Sequence, residues 1–132
     1  MACFSGFLNG REVARRMVAR GRGAILFTGA TAGIRGSANF AAFAGGKHAL
    51  RALAQSMARE LGPKNIHVAH VVVDGAIDTE FIRNNFPQRY ALKDQDGILN
   101  PEQIADNYWY LHTQPRDAWT HELDLRPYMG RF

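Results

Sequence analysis

Apolar residues four apart mark the start of the chain. Val13 and Met17, and Ala14 and Val18, repeat at that spacing, while Arg11, Arg15, Arg16 and Arg20 fill the other faces. This is the pattern of a helix that buries one stripe, and it predicts a helix over 7–20. Glycines at 21 and 23 stop it. Residues 24–28 (AILFT) form a short, continuous apolar run, as in a strand covered on both faces. After the glycine-rich stretch 29–36, the helical period returns with Leu50, Ala54, Met57 and Leu61. It predicts a helix over 41–61, ended by Gly62-Pro63.

Residues 66–73 (IHVAHVVV), rich in β-branched side chains, read as a second strand. Residues 77–89 suit a loop or short helix. Asn100-Pro101-Glu102-Gln103 supplies a capping side chain, a proline for the first turn and a glutamine three residues after the cap. Ile104, Tyr108 and Leu111 give that helix its buried face, and residues 121–125 (HELDL) read as a last short strand. The polar linker 89–100 is the expected mobile segment. Helices alternating with strands predict an α/β fold. About three strands form a short parallel sheet, with helices on both faces, in a single domain over 1–132.

Composition narrows the setting. Of 132 residues, 46% are hydrophobic and 21% charged, as in an ordinary globular protein. No apolar run nears the roughly 20 residues needed to cross a bilayer. Residues 1–9 lack the basic start and long apolar stretch of a secretory signal. With Cys3 as the one cysteine, neither an intrachain disulfide nor a cysteine-based zinc site is expected, which points to a reducing, cytoplasmic setting. The net charge of +4 is uneven, however. Residues 1–65 carry ten Lys/Arg against two Asp/Glu, and residues 66–132 carry six against ten. A basic half can face phosphate or an acidic partner, but no basic run with interleaved aromatics and no nucleic-acid motif accompanies it. His48, His67, His70, His112 and His121 show no metal-ligand spacing and are expected to be packing or surface residues. No metal site is predicted. His67 and His70, three apart on a strand, should point to opposite faces.

Two motifs compete for the chemistry. The stretch 28–36 (TGATAGIRG) follows a strand, as a dinucleotide loop would. Against that, Arg35 stands where a glycine is needed, and no acidic residue follows about twenty residues on to hold a ribose. The second motif uses more of the chain: Phe43-Ala44-Gly45-Gly46-Lys47, then the helix continuing to Leu61, then Asp74-Gly75-Ala76-Ile77-Asp78-Thr79. Together these resemble the active-site region of the short-chain dehydrogenase/reductase family. There a strand ends at a serine, and thirteen residues later a tyrosine opens Tyr-x-x-x-Lys on a long helix. The next strand ends in Pro-Gly-x-x-x-Thr. Helix 7–20 is similar to the family's preceding interface helix, and residues 101–125 to its last helix and strand. The resemblance implies a partial Rossmann-like three-layer fold, the family's carboxy-terminal half.

It also implies which chemistry is kept. In the family the tyrosine passes a proton as hydride moves between a nicotinamide and a carbonyl or alcohol carbon. The lysine lowers the tyrosine's pKa and binds the nicotinamide ribose, the serine polarises the substrate oxygen, and an asparagine supports a water-mediated proton path. Here Phe43 takes the tyrosine position, Ala30 the serine position and Ala2 the asparagine position. Lys47 is the retained catalytic residue, with Thr28 and Thr31 near Ala30. By resemblance Lys47, Ile77 and Thr79 would touch the nicotinamide end of NAD or NADP, and Asp74 adds a negative charge there in place of proline. The family's first strand, glycine turn and adenosine pocket have no counterpart here, so weak or no cofactor binding is expected of this chain alone.

Two functions follow. One is a catalytically silent relative that works by association, as a homo-oligomer through helices 7–20 and 41–61 or with a partner covering the open edge of strand 24–28. The other is an NAD(P)-dependent oxidoreductase, whole only with another piece, in which Thr31 or water replaces the tyrosine. A third, weaker option is an anion-binding module using Arg11, Arg15 and Arg35.

Overall fold

The computed structural model describes residues 1–130; Arg131 and Phe132, part of the predicted domain 1–132, lie outside the described residues. Along the chain run helix α1 (Ala2–Arg20), strand β1 (Gly23–Ala30), helix α2 (Ala41–Leu61), strand β2 (Ile66–Val73), the short helices α3 (Glu80–Asn85) and α4 (Pro87–Tyr90), helix α5 (Pro101–Thr113) and strand β3 (Glu122–Leu125). The three strands form one parallel sheet in the order β1-β2-β3. Gly23 pairs with Ile66 at one end of β1 and Ala30 with Val73 at the other, and Val73 pairs in turn with Leu125. Ala30, Val73 and Leu125 therefore bring the carboxyl ends of all three strands to one side of the molecule.

β2 lies between the other two strands, and all eight of its residues are buried. Its alternating side chains divide the core into two layers. Ile66 and Val68 join Ile25, Phe27, Leu50, Ala54 and Leu61 beneath α2, with Ala14 and Met17 of α1 packed alongside. Ala69, Val71 and Val73 pack with Leu111 on the α5 side, with Tyr108 and Ile104 against them. This is the three-layer α/β arrangement that the periodicity predicts. α5 begins as expected: the Asn100 side chain accepts a hydrogen bond of 2.8 Å from the Glu102 amide, and Pro101 opens the first turn. Replacing Asn100 by alanine should cost about 1 kcal/mol, read as a lower thermal midpoint with an unchanged fold.

Three expectations need correction. α1 begins at Ala2 rather than residue 7. Gly6 and Gly10 lower its helix propensity, but they let it lie close to the layer below. A Cβ on Gly6 would stand 2.5 Å from Leu50 Cδ1, and one on Gly10 3.2 Å from the Phe27 ring. β1 extends past 24–28 to Gly23 and Ala30, because β2 offers pairing partners over its whole length. Linker 89–100 is folded rather than loose: Ile98 is buried, and Leu99 bridges to Ile77 in parallel. The expectation for the histidine pair holds: His67 and His70 are packing residues, both buried. They do point to opposite faces: His67 stacks flat on Trp119, while His70 reaches Glu122 and lies near Arg51 of α2.

Candidate functional site

Lys47 lies two turns into α2, where the side chain can reach across to β1. Its ammonium donates to the Thr28 carbonyl at 3.0 Å. That carbonyl belongs to the strand at the edge of the sheet. Partial burial lowers the Lys47 pKa from its ordinary value. Phe43 stands one turn earlier on the same helix face, 49% exposed, with the Lys47 ammonium 6.0 Å from its ring centroid. The cation thus faces a ring that has no proton to exchange. Ala2, at the first residue of α1, approaches α2 at Gly46, where a Cβ would stand 4.0 Å from the Ala2 Cβ. Phe43 and Lys47 thus stand together on α2, and Ala2 lies beside Gly46 of the same helix.

The hydroxyls near Ala30 are engaged elsewhere. Thr28 Oγ1 shares a hydrogen bond of 2.5 Å with the Tyr108 hydroxyl on the α5 side of the sheet. Burial raises the Tyr108 pKa, and the bond to Thr28 only partly offsets it. Thr31, just past β1, donates its hydroxyl proton to Asp74 Oδ1. Asp74 is 7% exposed at the end of β2, where the resemblance places a proline. It also forms ion pairs with Arg126 at 3.4 Å and Arg35 at 3.9 Å. A hydroxyl that gives its proton to a buried carboxylate cannot give it to a substrate oxygen at the same time.

Ile77 and Thr79 have local duties. Ile77 bridges to Leu99 and packs against the α5-side core. Thr79 caps α3, its Oγ1 accepting from the Ile82 amide at 3.3 Å. The glycine-rich stretch is no phosphate cradle either. Residues 31–33 make a single 3-10 turn, and α2 does not start until Ala41. Gly33 is explained by packing, since a Cβ there would stand 3.3 Å from the Lys47 carbonyl oxygen. Among the described residues no group of three or more His, Cys, Asp or Glu could hold a metal. No described helix is long and apolar enough to cross a membrane.

Two features have no advance sign in the sequence beyond the charges themselves. One is the network in which Arg51 of α2 holds Glu122 of β3 with two hydrogen bonds of 2.6 and 2.8 Å, while His70 meets the same carboxylate at 3.1 Å. The other is an open cleft of about 600 Å³ beyond the strand ends, with Thr31, Arg35, Asp74, Arg89 and Pro127 among its lining residues.

Comparison with known proteins gives a consistent answer. A family model described as short chain dehydrogenase matches residues 2–90. The cyclic-di-GMP-binding biofilm dispersal mediator protein of Escherichia coli (strain K12) is 39% identical over 98 residues, which are 71% of this chain and 40% of that protein. A short-chain dehydrogenase structure from Rhodopseudomonas palustris is 50% identical with a TM-score of 0.75, covering 97% of this chain and 49% of that one. A 7α-hydroxysteroid dehydrogenase solved with NADH and 7-oxo glycochenodeoxycholic acid is 27% identical with a TM-score of 0.79, covering 95% of this chain and 51% of that one. The chain thus spans about half the length of these solved relatives.

Proposed function

Because this chain belongs to the short-chain dehydrogenase family, we propose that it is a member without the family's proton-transfer chemistry and that it acts by association, working in the cytoplasm. The observation that carries this reading is the Lys47–Phe43 pair. The lysine is held in place by the Thr28 carbonyl, but the residue it would activate is a phenylalanine. Family chemistry needs a titratable hydroxyl beside that cation. Ala30 supplies none, and Thr31 directs its proton into Asp74.

Association has its own support. Helices α1 and α2 leave Phe4, Phe7 and Phe43 exposed. Between these helices runs a groove of about 560 Å³ with Phe7, Val18, Leu53 and Met57 in its walls. A second copy, laid helix to helix, would cover this face. β1 is also an edge strand, and a groove of about 370 Å³ lies along it against α1, suited to a further strand from a partner. Size-exclusion chromatography with light scattering should give twice the chain mass at micromolar concentration. A well-behaved monomer at 100 times that concentration would defeat the reading.

The retained Lys47 favours a second reading, an NAD(P)-dependent oxidoreductase acting on a carbonyl or alcohol, with Lys47, Ile77 and Thr79 at the nicotinamide end. The first reading expects no saturable change in NADH or NADPH fluorescence up to millimolar cofactor. Saturable binding that is lost in Lys47→Ala would instead establish the second.

A further inference from the structure

A separate cavity lies at the end of the sheet where the strands begin, and we infer that it binds a phosphate monoester with a small aromatic body. Its volume is about 460 Å³, within the roughly 300–1,000 Å³ usual for small-molecule sites. Arg20 and Arg22 line it from the junction of α1 and β1, and Asn65 from the turn before β2. Gln114 and Trp119 line it from the segment between α5 and β3.

The charge there has one sign. Among the described residues no Asp or Glu lines the cavity. Neither the Arg20 nor the Arg22 guanidinium has an ion pair or hydrogen bond among the described residues, and both side chains are exposed. Arg116 donates to Asn65 Oδ1 at 3.4 Å, which brings a third cation beside the wall on a neutral acceptor. His67 and His112, the other ionisable groups of the lining, can only add positive charge.

The frame of the site is already fixed. Gly21, between the two arginines, takes a φ of 75°, and its amide donates to the Met17 and Val18 carbonyls at 2.8 and 3.2 Å. Its carbonyl accepts from Asn65 Nδ2 at 3.0 Å, which ties the α1–β1 junction to the start of β2. Gln114 is locked to Thr120 by hydrogen bonds of 2.8 and 2.9 Å. Trp119 lies flat on the buried His67 ring, with centroids 4.8 Å apart. Binding therefore has little to order beyond the arginine side chains themselves. A carboxylate fills one guanidinium fork. Two forks in one cavity match the three terminal oxygens and higher charge of a phosphate monoester. The rest of the lining includes Met17, Ala24 and Trp119, apolar surface that a planar ring would cover.

The cavity shares no lining residue with the α1–α2 groove, so this inference goes beyond the association reading and the two can fail separately. The test is titration of the full chain with phenyl phosphate, inorganic phosphate and phenol, followed by amide chemical shifts. Phenyl phosphate should bind saturably in the millimolar range and shift the amides of Arg22, Gly23 and Asn65. Inorganic phosphate should bind more weakly for want of the ring, and phenol at least about tenfold more weakly for want of the charge. Arg20→Gln and Arg22→Gln should each weaken phenyl phosphate about tenfold, with the thermal midpoint unchanged. Arg15→Gln, in the α1–α2 groove, should leave the affinity as it was. Equal affinity for phenyl phosphate and either simpler compound would overturn the inference. So would unchanged affinity in either cavity variant, an equal loss in Arg15→Gln, or no saturable shift at these amides.

Discussion

Replacing Gly29 with alanine should destabilise the fold by about 2 kcal/mol, and the cause should be a single neighbour, His70. Gly29 sits in β1 with a backbone that any residue adopts, so no turn conformation requires glycine there. What requires it is space. A Cβ at this position would overlap Nε2 and Cε1 of His70 and stand 3.2 Å from the Val71 carbonyl oxygen. His70 is fully buried and tied through Nδ1 to Glu122, so the ring has no easy retreat. Overpacking of this kind typically costs about 1–3 kcal/mol. The check is a double-mutant cycle by urea unfolding with Gly29→Ala, His70→Ala and both together. The double variant should be no less stable than His70→Ala alone, because the second change removes the obstacle that the first created. Simple addition of the two costs would sink the explanation. Gly29 also lies between Thr28, whose carbonyl anchors Lys47, and Ala30, so a shift in β1 here would move that anchor as well.

The sequence reveals periodic features and hides those that only the fold brings together. Helix 41–61 and strand 66–73 are read to the residue, because a sustained apolar stripe and a β-branched run are each bounded by Gly-Pro or a turn. The absent hydroxyl at Phe43 is legible only through the family resemblance, in which Lys47 four residues on and the strand after α2 mark the tyrosine's place. The start of α1 is less legible, because the apolar repeat is first seen at Val13, while Gly6 and Gly10 serve close packing. The linker misleads: its polar residues lie outside, while Ile98 and Leu99 tie it to the core. No local pattern could reveal that Asp74 meets Thr31 and Arg126, or that Arg51 meets Glu122. Each partner looks like an ordinary surface charge until β1, α2, β2 and β3 are stacked.

Those contacts also account for part of the uneven charge. The basic residues 1–65 and the acidic residues 66–132 meet inside one molecule, through Arg51 with Glu122 and Arg35 with Asp74. Attraction between the halves thus helps to dock α2 and the 31–40 loop onto β2 and β3. Arg11 and Arg15 remain beside the α1–α2 groove, next to its apolar wall. A partner on that face would meet apolar side chains together with Arg11, Arg15, Lys64 and Glu60, and an apolar centre with a polar rim is typical of protein interfaces.

The larger test concerns Glu122. Glu122→Ala should cost about 3 kcal/mol at neutral pH, because it removes two charged hydrogen bonds from Arg51 and leaves the buried His70 without its partner. The expected pH dependence follows from the directions of the shifts. The Arg51 hydrogen bonds hold the Glu122 pKa below its ordinary value, against the opposing effect of burial. A lowered carboxylate stabilises the fold above its unfolded pKa and loses that contribution as pH falls through the folded value. The gap between wild type and Glu122→Ala should therefore narrow once pH drops below about 4.5. His70 is also lowered, because burial prevails over the pull of Glu122, and Arg51 and His121 add smaller repulsions. With Nδ1 facing Glu122, the neutral ring presents a bare Nε2 that has no hydrogen-bond partner among the described residues. Protonation would put an N–H there with nothing to accept it. Because the unfolded chain takes up that proton first, stability should begin to fall below about pH 6.5. Urea midpoints from pH 8 to 3 separate the two groups. The decline beginning near pH 6.5 should vanish in His70→Leu. It should persist in Glu122→Ala, where the ring has lost the charge that favoured its protonated form. A decline near pH 6.5 that survives His70→Leu would place the titrating group elsewhere. A wild-type to Glu122→Ala gap that stays constant down to pH 3 would show that the carboxylate's charge contributes nothing to holding α2 on the sheet.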